Sequence, residues 1–210
     1  MIRKWTWPLG LCLAFALTAE AGEYETVSPD GKLRVEVRTG GGTDFEVWYH
    51  GERVLRPSPA GMHLSDGTWV GGGEVTSVKK NRVRETIDVV VGKNRTLREA
   101  YNELVLSYGK DYDLVVRAYD EGWAYRFVTR FDKEITISQE DAEYRFAFTP
   151  TVYFPECDAH TSPERDQSGE VHQIHQGYRN FERLYKVYAS PQGIPAGRFS
   201  VSPVLFERPG

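Results

Sequence analysis

The stretch LVVRAYDEGWAYRF, residues 114–127, is the clearest structural signal in the chain. Its second half places an aromatic residue at every second position, as a β-strand does: Trp123, Tyr125 and Phe127. Asp120, Glu121 and Gly122 precede them and have the composition of a tight hairpin turn, in which Gly122 is expected to adopt a positive φ. Neighbours in a strand point to opposite faces, so two adjacent acids are poorly placed to form an opposed catalytic pair. The stretch therefore predicts an antiparallel hairpin whose rings mostly serve packing.

The same alternation runs through most of the chain. KLRVEVRTG places three apolar residues on one face of a strand: Leu33, Val35 and Val37. TIDVVVG predicts a similar apolar face: Ile87, Val89 and Val91. Turns are expected at TGGGTD, at His50-Gly51-Glu52 and at Gly71-Gly72-Gly73, because glycine accepts a positive φ. Strands recur about every 8 to 12 residues with no long helix between them, which predicts an all-β antiparallel sandwich.

Composition excludes some partners. The 210 residues carry a formal charge of -4 with a pI near 5.8, and Lys and Arg are scattered among acids. No basic field is therefore expected to gather phosphates, and nucleic acid is not predicted as a partner. Twelve Tyr and five Trp are compatible with a β-rich fold and with carbohydrate contact.

The N-terminus has the features of a signal peptide over residues 1–21. Arg3 and Lys4 precede a mostly apolar run, and Ala19-Glu20-Ala21 has the small-x-small form of a cleavage site. We expect cleavage before Gly22, which leaves Cys157 as the single cysteine and excludes an internal disulfide. The apolar run is short for a membrane span, and bulky Leu11 disfavours a lipid anchor on Cys12. An exported protein without disulfides is predicted to be periplasmic or secreted from a bacterium.

Residues after Phe148 form a long segment rich in Pro, His and Gln, of poor periodicity until Phe181, which predicts a functional loop. His172 and His175 in this segment would face together on a helical turn, with His160 as a third metal ligand, although a polar surface loop is the simpler interpretation.

Carboxylates are the remaining candidates for acid or base chemistry: Asp120, Glu121, Glu134, Glu140, Asp141, Glu143, Glu156, Glu164 and Glu182. Glu182 stands out because NFERLY surrounds it with Phe181, Leu184 and Tyr185, and an acid in apolar company usually has a partner. The alternative is a surface glutamate paired with Arg183 or Lys186.

Several blocks in order resemble the N-terminal domain of glycoside hydrolase family 97: SPDGKLRVEV, YNELVLSY, LVVRAYDEGWAYRF, FPE, NFERLY and PVLFE. The family comprises exported bacterial α-glucosidases and α-galactosidases. The resemblance spans nearly all of residues 22–210 and implies a β-supersandwich like that of galactose mutarotase, with few short helices.

In that family the sandwich packs against a catalytic (β/α)8 barrel, which supplies the catalytic carboxylates. The N-terminal domain contributes one glutamate to a calcium site near the substrate, and the resemblance places this metal ligand at Glu182. Calcium takes six to eight oxygen ligands, so one glutamate cannot hold the ion without the barrel. The chain is thus expected to be a family 97 sandwich truncated before the barrel, with no catalytic residues of its own and inactive alone.

Two other functions stay open from the residues. One is a free-standing periplasmic carbohydrate-binding module, in which Trp123 or Tyr178 stacks on sugars. The other is a structural sandwich that serves as an interaction domain.

Overall fold

The computed structural model describes residues 22–93, 95–157, 161–165, 171–175, 185–200 and 202–209. In this part of the chain the regular structure is β-strand apart from one 3-10 turn at Pro191–Gly193. The all-β antiparallel fold predicted from the alternation is therefore confirmed. Residues 1–21, with the predicted signal peptide, lie outside the described residues. No helix among the described residues is long and apolar enough to cross a membrane.

Contacts divide the chain into two compact units. The first comprises residues 1–52 and 57–143, and the second comprises residues 53–56 and 144–210. The strands up to residue 143 are β1 Glu23–Val27, β2 Leu33–Arg38, β3 Thr43–Tyr49, β4 Glu52–Leu64, β5 Trp69–Val70, β6 Ser77–Asp88, β7 Thr96–Tyr108, β8 Tyr112–Tyr119, β9 Gly122–Thr129 and β10 Ile137–Ala142. The later strands are β11 Thr151–Phe154, β12 Glu156–Cys157, β13 Thr161–Arg165, β14 Val171–His175, β15 Lys186–Tyr188, β16 Phe199–Ser200 and β17 Leu205–Glu207.

The first unit is a sandwich of two antiparallel sheets. Strands β1, β2, β3, β4 and β10 are adjacent in that order, with β5 also paired to β4, and β6 to β9 form the second sheet. The predicted apolar face of β2 is buried: Leu33, Val35 and Val37. It packs toward the inward residues of the second sheet: Leu104, Leu106, Leu114 and Val116. Burial of these alternate side chains fixes the register, since a slip by one residue would expose them.

Polar contacts also join the two sheets. The Thr26 hydroxyl lies 3.4 Å from the carbonyl oxygen of Asn102, and the Asn102 side-chain amide donates to the carbonyl oxygen of Val27 at 2.6 Å. The Gly71-Gly72-Gly73 segment is a turn, as predicted. Its backbone approaches β4 so closely that a Cβ on Gly71 would lie 2.9 Å from the carbonyl oxygen of Ala60.

The hairpin in residues 114–127 is confirmed, but its glycine has a different role from the one predicted. Tyr119 pairs with Gly122, so Asp120 and Glu121 are the two turn residues and Gly122 begins β9. Gly122 has no positive φ, and a Cβ added to it would meet nothing within 4 Å. The prediction of a positive φ at Gly122 was therefore wrong.

The strand predicted from TIDVVVG also differs. β6 ends at Asp88, and Ile87 is exposed together with Val90 and Val91. β8 ends at Tyr119, which lies opposite Tyr101 of β7. Between Tyr101 and the turn of the β6–β7 hairpin, the described residues therefore supply no third strand. Among those residues, the apolar side chains of this part of the hairpin have no sheet neighbour to cover them.

The second unit is built around β11, which pairs antiparallel with β15 and with β17. Val152 and Phe154 of β11 are buried, and the rings of Phe146 and Phe206 lie 4.7 Å apart. The segment predicted as a long loop thus contains strands in its described part, including the paired β13 and β14.

Candidate functional site

Several residues singled out from the sequence lie outside the described residues. These are Glu182, the predicted metal ligand, and also His160 and Tyr178. Among the described residues, no group of three or more His, Cys, Asp or Glu could hold a metal ion. His172 and His175 belong to strand β14, so the helical turn that would bring them together is absent.

The acids of the 120–121 turn are not an opposed pair. Asp120 accepts a hydrogen bond from the backbone N–H of Asp30 at 2.8 Å, which ties the hairpin to the loop before β2. Glycoside hydrolysis needs two carboxyl groups on opposite sides of the bond, at least about 5 Å apart. Adjacent positions in one tight turn do not provide that arrangement, so the prediction that these acids serve the hairpin agrees with the geometry.

The aromatic residues of β9 pack against the facing sheet. The Phe45 ring lies 5.0 Å from the Trp123 ring and 4.7 Å from the Tyr125 ring. Phe45 is fully buried, whereas Trp123 and Tyr125 are half-buried. Their main role is therefore to complete the core at the edge of the sandwich, as the sequence predicted.

Glu156 lies at the centre of a group of charged and polar side chains in the described part of the second unit. Its side chain is 2% exposed. Lys186 Nζ lies 2.7 Å from Glu156 Oε1, and Arg198 Nη1 lies 3.4 Å from the same oxygen. The Tyr188 hydroxyl donates to Oε2 at 2.5 Å. We call these four residues the Glu156 cluster.

Glu156, Lys186 and Tyr188 shift one another's pKa values. The hydrogen bond from Lys186, followed by that from Tyr188, lowers the pKa of the Glu156 carboxyl. The hydrogen bond to Glu156 in turn raises the pKa of both Lys186 and Tyr188. Both carboxylate oxygens are occupied by cationic or hydroxyl donors, so Glu156 is held ionised and is not free to act as a general acid.

The position of the cluster relates it to the predicted metal ligand. Lys186 and Tyr188 belong to β15, which begins four residues after Glu182 in the chain. Glu156 thereby accepts hydrogen bonds from two residues of β15, the strand that follows Glu182 in the chain. Sequence reasoning included Glu156 only as one of several candidate acids. Its partners lie 30 residues away or more, so no local pattern identified them.

The contact between His63 and Asp141 was also missed. His63 Nε2 lies 2.7 Å from Asp141 Oδ2, and the His63 ring stacks on Trp69 with centroids 6.2 Å apart. The hydrogen bond with His63 is the main cause of a lowered Asp141 pKa. The pair joins the side chains of β4 and β10, which are neighbours in the sheet, and both side chains are partly exposed.

Comparison with known families gives a match over most of the chain. Residues 26–210 match the family model described as Glycosyl-hydrolase 97 N-terminal. A retaining α-galactosidase of Bacteroides thetaiotaomicron is 32% identical over 147 residues, which are 69% of this chain and 22% of that protein. A probable retaining α-galactosidase of Streptomyces bingchenggensis is 32% identical over 112 residues, 51% of this chain and 18% of that protein. The chain thus spans about a fifth of the length of these relatives.

Solved structures share the fold. A Glycoside Hydrolase Family 97 enzyme from Pseudoalteromonas sp. strain K8, in complex with acarbose, superimposes with a TM-score of 0.61 at 15% identity, over 81% of this chain and 25% of that one. A β-arabinopyranosidase gives a TM-score of 0.58 at 22% identity, over 78% and 26% of the two chains. At these identities the likeness shows a common fold.

Proposed function

This chain belongs to the Glycosyl-hydrolase 97 N-terminal family, and we propose that it is the non-catalytic N-terminal domain of an exported α-glycosidase that hydrolyses terminal α-linked glucose or galactose. The observation that carries the proposal is the family match over residues 26–210. It favours a domain of a larger enzyme over a free-standing carbohydrate-binding module. The names of the two curated relatives support galactose as the sugar.

The proposed role is support of an active site built elsewhere in the enzyme. Glycoside hydrolysis uses an acid/base carboxyl and a second carboxylate, about 5–5.5 Å apart where the configuration is retained. Adjacent positions in one turn keep Asp120 and Glu121 from meeting that requirement, and the Glu156 carboxylate is held ionised by hydrogen bonds from its partners. We propose that both catalytic carboxylates belong to the catalytic portion, and we expect the chain alone to be inactive.

We further propose that Glu182 donates a carboxylate ligand to calcium in the complete enzyme. The support is the resemblance of the NFERLY segment to the segment that carries the calcium-binding glutamate in the family. A carboxylate suits calcium, which prefers oxygen, and the other ligands would come from the catalytic portion. The ion would supply positive charge that orients and polarises substrate oxygens.

A substitution in the complete enzyme tests the calcium proposal. Glu182→Gln keeps the size of the side chain but removes its charge, so we expect calcium affinity, measured by isothermal titration calorimetry, to fall about 10- to 100-fold. Activity on an aryl α-galactoside should fall with it. Glu121→Gln, which removes an acid from the hairpin turn, is the control and should change neither.

The two proposals fail in different ways. Unchanged calcium affinity in the Glu182→Gln enzyme would remove the metal assignment and leave the domain role intact. Genomic DNA that encodes no catalytic portion in frame with this chain would contradict the domain role itself.

A further inference from the structure

The far end of the β6–β7 hairpin exposes apolar side chains to solvent. Val90 and Val91 follow the end of β6 and are 99% and 88% exposed. Ile87 and Leu97 are directly opposite each other across the hairpin, and both are also exposed. We call these four side chains, together with Lys93, Arg95 and Arg98, the ribbon tip.

The register explains why the ribbon tip is uncovered. β6 is an edge strand and pairs with β7 over its whole length, from Ser77 opposite Ser107 to Asp88 opposite Thr96. β8 pairs with β7 only between Tyr101 and Tyr108. Beyond Tyr101 the hairpin is a two-stranded ribbon, and the described residues supply neither a third strand nor a sheet neighbour for its apolar side chains.

The apolar residues are accompanied by exposed cations. Arg84, Lys93, Arg95 and Arg98 are all exposed, and in the part of the chain that the structure describes none of them forms an ion pair. Residues 77–99 contain seven cations and three acids, Glu85, Asp88 and Glu99, and Glu99 lies directly opposite Glu85 across the hairpin. Lys79, Lys80 and Arg82 continue the basic character along β6, although the whole chain has a formal charge of -4. The ribbon is thus a local basic surface on an acidic protein.

Protection of a sheet edge accounts for only part of this pattern. Charged residues, lysine above all, prevent an edge strand from pairing with other chains. That role suits Lys79, Lys80 and Arg82 beside the sandwich. It does not account for two adjacent, almost fully exposed valines, because exposed apolar residues at an edge promote the association that the charges oppose.

We propose that the ribbon tip binds an anionic lipid surface. Apolar side chains enter the boundary between head groups and acyl chains, while flanking Lys and Arg bind lipid phosphates. Val90 and Val91 have the exposure that insertion needs, and Lys93, Arg95 and Arg98 supply the complementary charge. The role is peripheral attachment, and it does not depend on the glycosidase assignment.

Vesicle binding by the complete exported protein that contains this chain, measured by co-sedimentation, tests the proposal. Vesicles with 30% phosphatidylglycerol in phosphatidylcholine should bind the protein at least about tenfold more tightly than phosphatidylcholine alone, and high salt should weaken the binding. Val90→Asp combined with Val91→Asp, and separately Lys93→Glu combined with Arg95→Glu, should each reduce the affinity at least about tenfold.

Lys79→Glu combined with Lys80→Glu is the matched control. It changes the net charge as much as the Lys93 and Arg95 pair does, on the same hairpin but away from the tip, and we expect less than about a threefold loss. All these side chains are exposed, so unfolding midpoints should match the wild type.

Four outcomes would overturn the proposal: no binding to anionic vesicles, unchanged binding in the valine variant, an equal loss in the control, or tighter binding to duplex DNA than to the vesicles. Self-association in sedimentation velocity that the valine substitutions abolish, without any effect on vesicles, would instead assign the tip to a second copy of this chain.

Discussion

Glu156 shows how one buried side chain can organise a small unit. Its carboxylate brings together Lys186 and Tyr188 of β15, and it also contacts Arg198 just before β16. An ionised carboxylate is costly to bury unless it is paired and hydrogen-bonded, and these partners meet that condition. The cluster therefore stabilises the second unit and holds the strand that follows Glu182.

Glu156→Gln should destabilise the protein by about 1–3 kcal/mol. The substitution weakens the hydrogen bonds that Lys186 and Tyr188 donate to Glu156, and it removes the negative charge beside Lys186 and Arg198. The free energy of unfolding in urea at pH 7 measures this loss. Glu207→Gln, which removes the charge from the acceptor of the exposed 2.8 Å hydrogen bond donated by the Tyr153 hydroxyl, is the control and should cost less than about 1 kcal/mol.

The destabilisation caused by Glu156→Gln should depend on pH. The pKa of Glu156 is lowered on folding, so its stabilisation is present above the ordinary glutamate value of 4.5 and is lost as the pH falls through the folded-state pKa. The stability difference between wild type and Glu156→Gln should therefore shrink below about pH 4.5. A difference that grows on acidification would show that the carboxylate is not held ionised.

Two hairpins of the first unit differ in how their turns are made. The β3–β4 turn has positive φ at both central residues, 51° at His50 and 78° at Gly51. This is the backbone that a two-residue hairpin favours and that side chains resist. The β8–β9 turn at Asp120 and Glu121 has no positive φ, so it tolerates ordinary side chains.

Gly51→Val should cost at least about 1–2 kcal/mol, since a β-branched residue resists the left-handed region. A Cβ on Gly51 meets nothing within 4 Å, so backbone strain is the only cause. Gly122→Val, on extended backbone that is equally open, should stay within about 0.5 kcal/mol. Urea unfolding of both variants measures the contrast, and equal destabilisation would contradict this account of the turns.

The chain as a whole belongs to a family whose members extend well beyond the matched region. Two compact units make up the chain, and the matched residues cover 22% and 18% of the length of the two relatives. The Glu156 cluster, identified by its geometry, belongs to the second unit.

Export is tested on the intact protein. If residues 1–21 are a signal peptide, the protein recovered from the periplasm or medium should begin at Gly22, as determined by mass spectrometry of the N-terminus. Ala21→Leu replaces the small residue before the cleavage site and should block processing, whereas Leu11→Val within the apolar run should not. A recovered chain that begins at Met1 would contradict the assignment.

Local patterns were sufficient to predict the all-β class, the hairpin at residues 114–127 and the family, but not the end of β6 at Asp88 or the strands after Phe148. Alternation such as Leu33, Val35 and Val37 is a property of successive residues, and burial of one face follows from it. Contacts that join distant residues were not predictable in this way. The partners of Glu156 are 30 and 32 residues away, and the exposure of Val90 and Val91 follows from the point at which β8 ends beside β7. Gly122 shows the same limit, because its φ depends on where the strand pairing closes the turn and not on the presence of a glycine.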